Sequence, residues 1–261
     1  MRREIQISTA AAQLRDLGVA PGDILLVHAS FRALRPVARG PLGVIEALGQ
    51  ALGPSGTLVM PSWTGDDDTP FDPATSPAAE DLGALASVFW RLPGVLRSRH
   101  AFAFAARGPA AAEILADPLP LPPHQVASPA GRLWQRDGRI LLLGVDHDAN
   151  TNLHLAELLA GVPYRQAKHI TVRRHGRPLR IDYLENDHCC QRFKCANPWL
   201  AARCLQLEGT VGHAPAKLMR SRDLVETAVD HLQNDPVAFL HPRGTGCQDC
   251  AEAWRSVAPG G

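Results

Sequence analysis

Net charge is what the chain most conspicuously lacks. Its 27 Lys and Arg oppose 26 Asp and Glu, leaving +1 at neutral pH. No global field draws it to nucleic acid or to an acidic membrane, and neither is an expected partner. Long apolar runs are missing too, so no membrane span is expected. The opening MRREIQISTAAAQL has no apolar signal-peptide core, which makes the cytoplasm the expected location. No cysteine precedes Cys189, and all six lie in the last third, which excludes a disulfide framework for the whole chain. Repeats, long low-complexity segments and a glycine-rich phosphate fingerprint are likewise absent.

What is present is a composition for a soluble globular protein, 45% hydrophobic and 20% charged. The 261 residues suffice for one large domain or two small ones. Residues 8–18 read as an amphipathic helix ended by Gly18, followed by a buried strand from Ile24 to Val27. A helix over 41–52 starts with proline, as first-turn positions favour, and 57–60 is the next strand. Further expectations are a helix over 82–91, a strand over 98–108 alternating around Phe102 and Phe104, and a helix over 109–117. PLPLPP at 118–123 reads as an extended connector, and the loop continues to 131 with His124 and Ser128 as polar features. Segments 169–174 and 178–184, split by His175-Gly176, signal a hairpin, and 212–233 includes a helix.

The most informative stretch is 139–159, RILLLGVDHDANTNLHLAELL. Ile140 to Val145 read as a buried strand, which releases His147, Asp148, Asn150 and Thr151 before a helix resumes. Leu153, Ala156, Leu158, Leu159 and Ala160 are its expected apolar contacts, with Asp148 or Asn150 as cap. His154 and Glu157 are three residues apart, hence neighbours on one helix face, where the carboxylate can orient the imidazole and favour its protonated form. The loops after the early strands and after 140–145 are expected to converge at one sheet edge, where open α/β sheets bind ligands. The first offers backbone N–H groups around Ser30 and Phe31 with the Arg32 guanidinium, chemistry that suits a phosphate. The second offers Trp63 and Asp66-Asp67-Asp68, which fit a cation, either a metal or an amine.

HASFRALRP, LGPSGTLVMPSW, FDPATSP, SRHAFAFAARG and above all GVDHDANTNLHLAE resemble the aminoglycoside 3-N-acetyltransferases of the antibiotic N-acetyltransferase family, over about residues 4 to 254. DPLPLPPH, DYLENDHCCQRF, FLHP and CQDC resemble its type IV branch, associated with apramycin and gentamicin resistance. The resemblance implies an α/β fold: a three-layer α/β/α domain over 1–261 with a mixed sheet, not the common acetyl-CoA-using (GNAT) fold, and a cysteine-containing C-terminal part from about 185. It implies acetyl transfer from acetyl-CoA to the 3-amino group of a 2-deoxystreptamine aminoglycoside, by a monomer or homodimer. The family's motif histidine and glutamate fall on His154 and Glu157, and its usual Thr-Thr is here Thr151-Asn152. Its coenzyme loop falls on His28-Ala29-Ser30, one hydroxyl short.

The residues fit that chemistry. Amine attack on a thioester needs a base, assigned to His154 held by Glu157, with Thr151 beside it. Oxyanion donors are sought near Ser30 to Arg32 or at Thr151. No cysteine sits in a comparable motif, so direct transfer in a ternary complex is expected, with no acyl-enzyme. Trp63, Asp67, Asn150, Glu185 and Asp187 are assigned to the polycationic acceptor. Ser30, Phe31, Arg32, Arg99, His100 and Ser128 are assigned to acetyl-CoA. Cys189, Cys190, Cys247 and Cys250 supply four thiols for a structural zinc, with His188 or His241 able to replace one; free thiols or a redox pair are the alternatives. Cys195 and Cys204 read as core filler. A second function class is a metal-dependent hydrolase using His147, Asp148 and His154; a third is a binding protein that keeps the fold without the chemistry.

Overall fold

A computed structural model describes residues 2–116 and 121–257. Its strands are β1 (Ile24–Ala29), β2 (Thr57–Pro61), β3 (Leu96–Arg97), β4 (Phe104–Arg107), β5 (Arg139–Leu143), β6 (Gln166–Arg174), β7 (Arg177–Glu185), β8 (Gln206–Val211) and β9 (Ala214–Arg220). Its helices are α1 (Ile7–Leu17), α2 (Phe31–Leu34), α3 (Pro41–Leu52), α4 (Gly83–Phe89), α5 (Ala111–Ile114), α6 (Pro129–Gln135), α7 (Asn152–Ala160), α8 (Ala196–Ala202), α9 (Ser221–Asn234) and α10 (Gln248–Ser256).

Among the described residues the strands form a seven-stranded sheet ordered β3-β4-β2-β1-β5-β9-β8, plus the separate hairpin β6-β7. β1 runs parallel to β2 and β5, and the flanking pairings are antiparallel, so the sheet is mixed. Both faces are covered, and the apolar runs of the central strands follow from that. Leu25, Val27, Leu141 and Leu143 pack on one side with Leu14 and Leu48 of α1 and α3. Leu26, Ile140 and Leu142 pack on the other with Leu153 of α7 and Val225 of α9. Each such side chain stabilises the fold by about 1.5–3 kcal/mol on burial. The expected three-layer α/β fold is thus the observed one.

Several local expectations change. The strand over 98–108 shortens to β4, because 98–103 bends away into a loop. The helix over 109–117 is the single turn α5; residue 117 and residues 118–120 of the proline connector lie outside the described residues. Leu159 is 40% exposed, and Leu155 fills the core in its place. Cys204 is exposed, not core filler. The antiparallel pair β8-β9, which supplies one edge of the sheet, was not anticipated.

Parallel pairing puts the C-terminal ends of β1, β2 and β5 at one edge, and the loops that follow converge there as expected. Gly144 makes the closest approach possible. It adopts φ +72°, and a Cβ there would stand 2.6 Å from Ala33 Cβ and 3.3 Å from Ser30 O. β4 runs antiparallel to β2, so the loop before it brings Phe102 to the same edge. The β6-β7 hairpin supplies the remaining wall, packing Ile170 against Phe71, Ala101 and Ala103.

Candidate active site

α7 forms from Leu, Ala and Glu, good helix formers, after the loop 144–151 that follows β5. Its N-cap, Thr151, makes no side-chain cap bond; Asn150, one residue earlier, accepts from the Asn152 N–H at 3.3 Å. Gly161 ends the helix in the left-handed conformation. One helical turn brings His154 and Glu157 together as expected, with Nδ1 to Oε2 at 2.8 Å. Glu157 is fully buried and meets two further donors, Tyr164 OH and, at 2.7 Å, His188 Nε2. The Cys190 N–H donates to His188 Nδ1 at 3.0 Å, so His188 carries its proton on Nε2 and gives it to Glu157. Burial alone would raise the Glu157 pKa; His188 and His154 outweigh it and hold it at about 2. The anion in turn requires Nδ1–H on His154, which leaves Nε2 as the reactive nitrogen.

Nε2 does not stand alone. Cys190 Sγ lies 3.5 Å from it. Burial works against a protonated His154, but Cys190 and Glu157 together lift its pKa well above 6.5. Sequence reasoning assigns Cys190 to zinc and does not place it beside His154. Cys190 adopts a left-handed backbone, φ 57°, at the turn entering the segment Gln191–Cys195.

His154 lines a cleft of about 550 Å³. Trp63 and Phe102 form an aromatic wall, their centroids 6.5 Å apart, with Tyr183 beside them. Asp67, Glu185 and Asp187 line the cleft as expected. Asp187, however, already pairs with Lys168 Nζ. The neighbouring aspartates serve the loop: Asp66 accepts from the Asp68 and Thr69 N–H groups, and Asp68 pairs with His169 at 2.8 Å. Thr151 lines the cleft, its Oγ1 3.4 Å from His28 Nε2. Burial, with His124 and His147 nearby, lowers the His28 pKa to about 3, so it stays neutral. Asn150 lines the cleft too, but its amide nitrogen is engaged with His147 Nδ1 at 3.2 Å. Asn152 is wholly buried and donates to Ser221 Oγ at 2.7 Å and Ala130 O at 3.3 Å, tying α7 to α9 and α6.

None of the six residues assigned to the coenzyme lines this cleft. The Ser30 N–H donates to Leu143 O at 2.9 Å, and Phe31 and Arg32 form the turn α2 next to it. Arg99 is exposed. His100 is buried, with the Phe102 N–H donating to its Nδ1 at 2.9 Å. Ser128 is buried as the cap of α6, accepting from the Gly131 N–H at 3.2 Å. His100 and Ser128 therefore support the backbone.

Three of the four cysteines assigned to zinc converge: the sulfurs of Cys189, Cys247 and Cys250 lie within 4.8 Å of one another. Cys190 points the other way, to His154, and both ring nitrogens of His188 are committed, so neither joins the set. The hydrolase cluster is not assembled. His147 Nε2 bonds Gln206 at 2.8 Å and Asp148 pairs with Lys194 at 2.7 Å, and neither gathers with His154 into one set of ligand atoms.

Lys168, Tyr183, His124 and the His188–Tyr164 support were missed. A signal for two of them existed. The hairpin register pairs Lys168 with Tyr183 and Gln166 with Glu185, and residues two apart share a face, so finding Glu185 implies Tyr183 and Lys168.

Comparison with known proteins agrees with this architecture. Residues 26–233 match the family described as aminoglycoside 3-N-acetyltransferase. The chain is 60% identical over 242 residues to aminoglycoside N(3)-acetyltransferase IV of a Salmonella species, covering 93% of each. It is 58% identical to a histidine-to-alanine mutant of AAC(3)-IVa in complex with a gentamicin, with a TM-score of 0.97 over 98% of this chain and 99% of that one. It is 27% identical to AAC-IIIb in its binary complex with CoASH, with a TM-score of 0.80 over 89% and 98% of the two chains. The chain belongs to the aminoglycoside 3-N-acetyltransferase family and is an acetyltransferase.

Proposed function

We propose that the chain moves acetyl from acetyl-CoA to the 3-amino group of a 2-deoxystreptamine aminoglycoside such as apramycin or gentamicin, conferring resistance, by direct transfer in a ternary complex. The observation that carries this reading is His154, tied through Nδ1 to a buried anion and lining a cleft with carboxylate and aromatic walls. Relatives bound to a gentamicin and to CoASH support the two substrates.

In this reading His154 Nε2 takes a proton from the attacking amine as nitrogen bonds to the thioester carbonyl carbon. The tetrahedral intermediate collapses, the carbon–sulfur bond breaks, and the departing CoA thiolate takes the proton back from His154. Glu157 orients the imidazole and stabilises its charged form. Thr151 is the oxyanion donor of choice, because it lines the cleft with His154 while Ser30, Phe31 and Arg32 do not. The coenzyme approaches along Ser30, Phe31 and Arg32, packed beside the Gly144 loop. Trp63, Asp67, Glu185 and Asp187 bind the acceptor.

Cys189, Cys247 and Cys250 are read as three ligands of a structural zinc, which takes four donors in a tetrahedron. The fit is partial: sulfur is the right donor type, and three sulfurs of four are in place.

The test is CoA release from acetyl-CoA with and without apramycin or gentamicin. Drug-dependent release by the wild type, falling by about 10²–10⁴-fold in His154→Ala, is the expected result. No release with any aminoglycoside rejects the acceptor. Intact mass after acetyl-CoA alone should be unchanged; an acetyl adduct on Cys190 would replace direct transfer with two steps.

A further inference from the structure

His124 is a cleft residue whose chemistry the His154–Glu157 pair leaves unused. It is 5% exposed, and neither ring nitrogen has a hydrogen-bond partner. Among the described residues no other cleft-lining side chain holds a buried nitrogen or oxygen in that state. Leaving a buried polar group unpaired opposes folding, so its presence in a cleft calls for a partner that arrives with the ligand.

The ring is fixed without use of its nitrogens. It stacks on His154 at 5.0 Å and 24°, and meets Phe102 edge-on at 5.7 Å and 77°. Nδ1 stands 3.6 Å from Glu185 Oε1, beyond hydrogen-bond length. Nδ1 and Oε1 thus stand close enough for one ammonium to meet both, without bonding to each other. Burial lowers the His124 pKa and Glu185 offsets only part of this, so the ring is neutral at pH 7 and one nitrogen offers a bare lone pair.

We infer that His124 and Glu185 form a two-sided seat for one cationic amine of the acceptor, beside His154. Glu185 supplies the charge. His124 supplies a second acceptor, and as a neutral group it adds no repulsion. Seating one ammonium there orients the rest of the acceptor toward His154, which makes His124 a substrate-orienting residue. This rests on the acceptor class proposed above.

His124→Phe keeps a ring to stack on His154 and removes both nitrogens; His124→Asn restores a polar acceptor without the ring. The phenylalanine variant should raise the KM for the aminoglycoside about tenfold, with kcat and the KM for acetyl-CoA changed by less than about threefold. The asparagine variant should recover part of the lost affinity. A drug KM unchanged in His124→Phe, or a fall in kcat alone, overturns the seat and leaves the ring as a prop for His154. Melting temperature confirms that each variant is folded. Calorimetry with 2-deoxystreptamine reads the seat without turnover. A wild type that binds this diamine more tightly than His124→Phe but transfers no acetyl sinks the acceptor reading and supports the seat. Equal binding by the two proteins sinks the seat.

Discussion

Cys190 Sγ lies 3.5 Å from Nε2 of His154, the ring nitrogen that the Glu157 bond leaves free. Sulfur and carboxylate thus hold the ring from opposite sides, and despite its burial they keep it protonated above its ordinary range. A base works only after losing that proton, so kcat/KM should rise with pH through a midpoint above 6.5. Cys190→Ala removes one of the two supports, and its acidic limb should shift to lower pH while the enzyme stays active. A limb that does not move would show that the sulfur leaves His154 untouched.

Glu157→Gln should lower kcat by about 10–100-fold and lower the melting temperature, since it weakens a network with three donors on one buried carboxylate. The folded-state pKa, about 2, lies below the ordinary 4.5. The carboxylate's contribution is therefore present above the unfolded value and is lost as pH falls through the folded one. The stability gap between wild type and variant should narrow from pH 5 toward pH 2, measured by denaturant titration.

Asn152 stands where the family motif has a second threonine. Asn152→Thr brings back the motif but removes the bonds to Ser221 and Ala130, and should destabilise the fold by about 1–3 kcal/mol. An unchanged denaturation midpoint would mean that the threonine rebuilds the tie.

Metal analysis of the purified protein should find about one zinc per chain, and strong chelation at neutral pH should lower the melting temperature. Cys247→Ser should reproduce the loss in the absence of chelator. Zinc-free protein of unchanged stability leaves the three thiols as a plain contact.

The His154–Glu157 pair was readable because its geometry is local: three residues in a helix fix a neighbour whatever the rest of the chain does. The sheet edge was readable from apolar runs that break into polar bursts. The strands β8 and β9 were not, because β8 is an edge strand exposed along most of its length and shows no period-two apolar pattern. At Ser128 and His100 the structure shows backbone contacts that the sequence does not announce, because side chains that cap a helix or bind a nearby N–H look, in sequence, like any other polar side chain. Cys189 and Cys190 could not be separated by sequence, since all that distinguishes them is direction. The left-handed turn at Cys190 separates them, so that one sulfur meets Cys250 of the C-terminal helix and the other meets His154.

The Lys168–Asp187 ion pair means that the cleft carries an ammonium of its own. Of the three carboxylates that line the hairpin side, one is neutralised before any guest arrives, and the local charge is smaller than a count of aspartates and glutamates suggests. A polyamine entering the cleft competes with a tethered ammonium held at high effective concentration. Discrimination among polycations then turns on whether a guest can bring one positive group to Glu185 and Asp67 while leaving Lys168 in place, so spacing between amines matters more than their number.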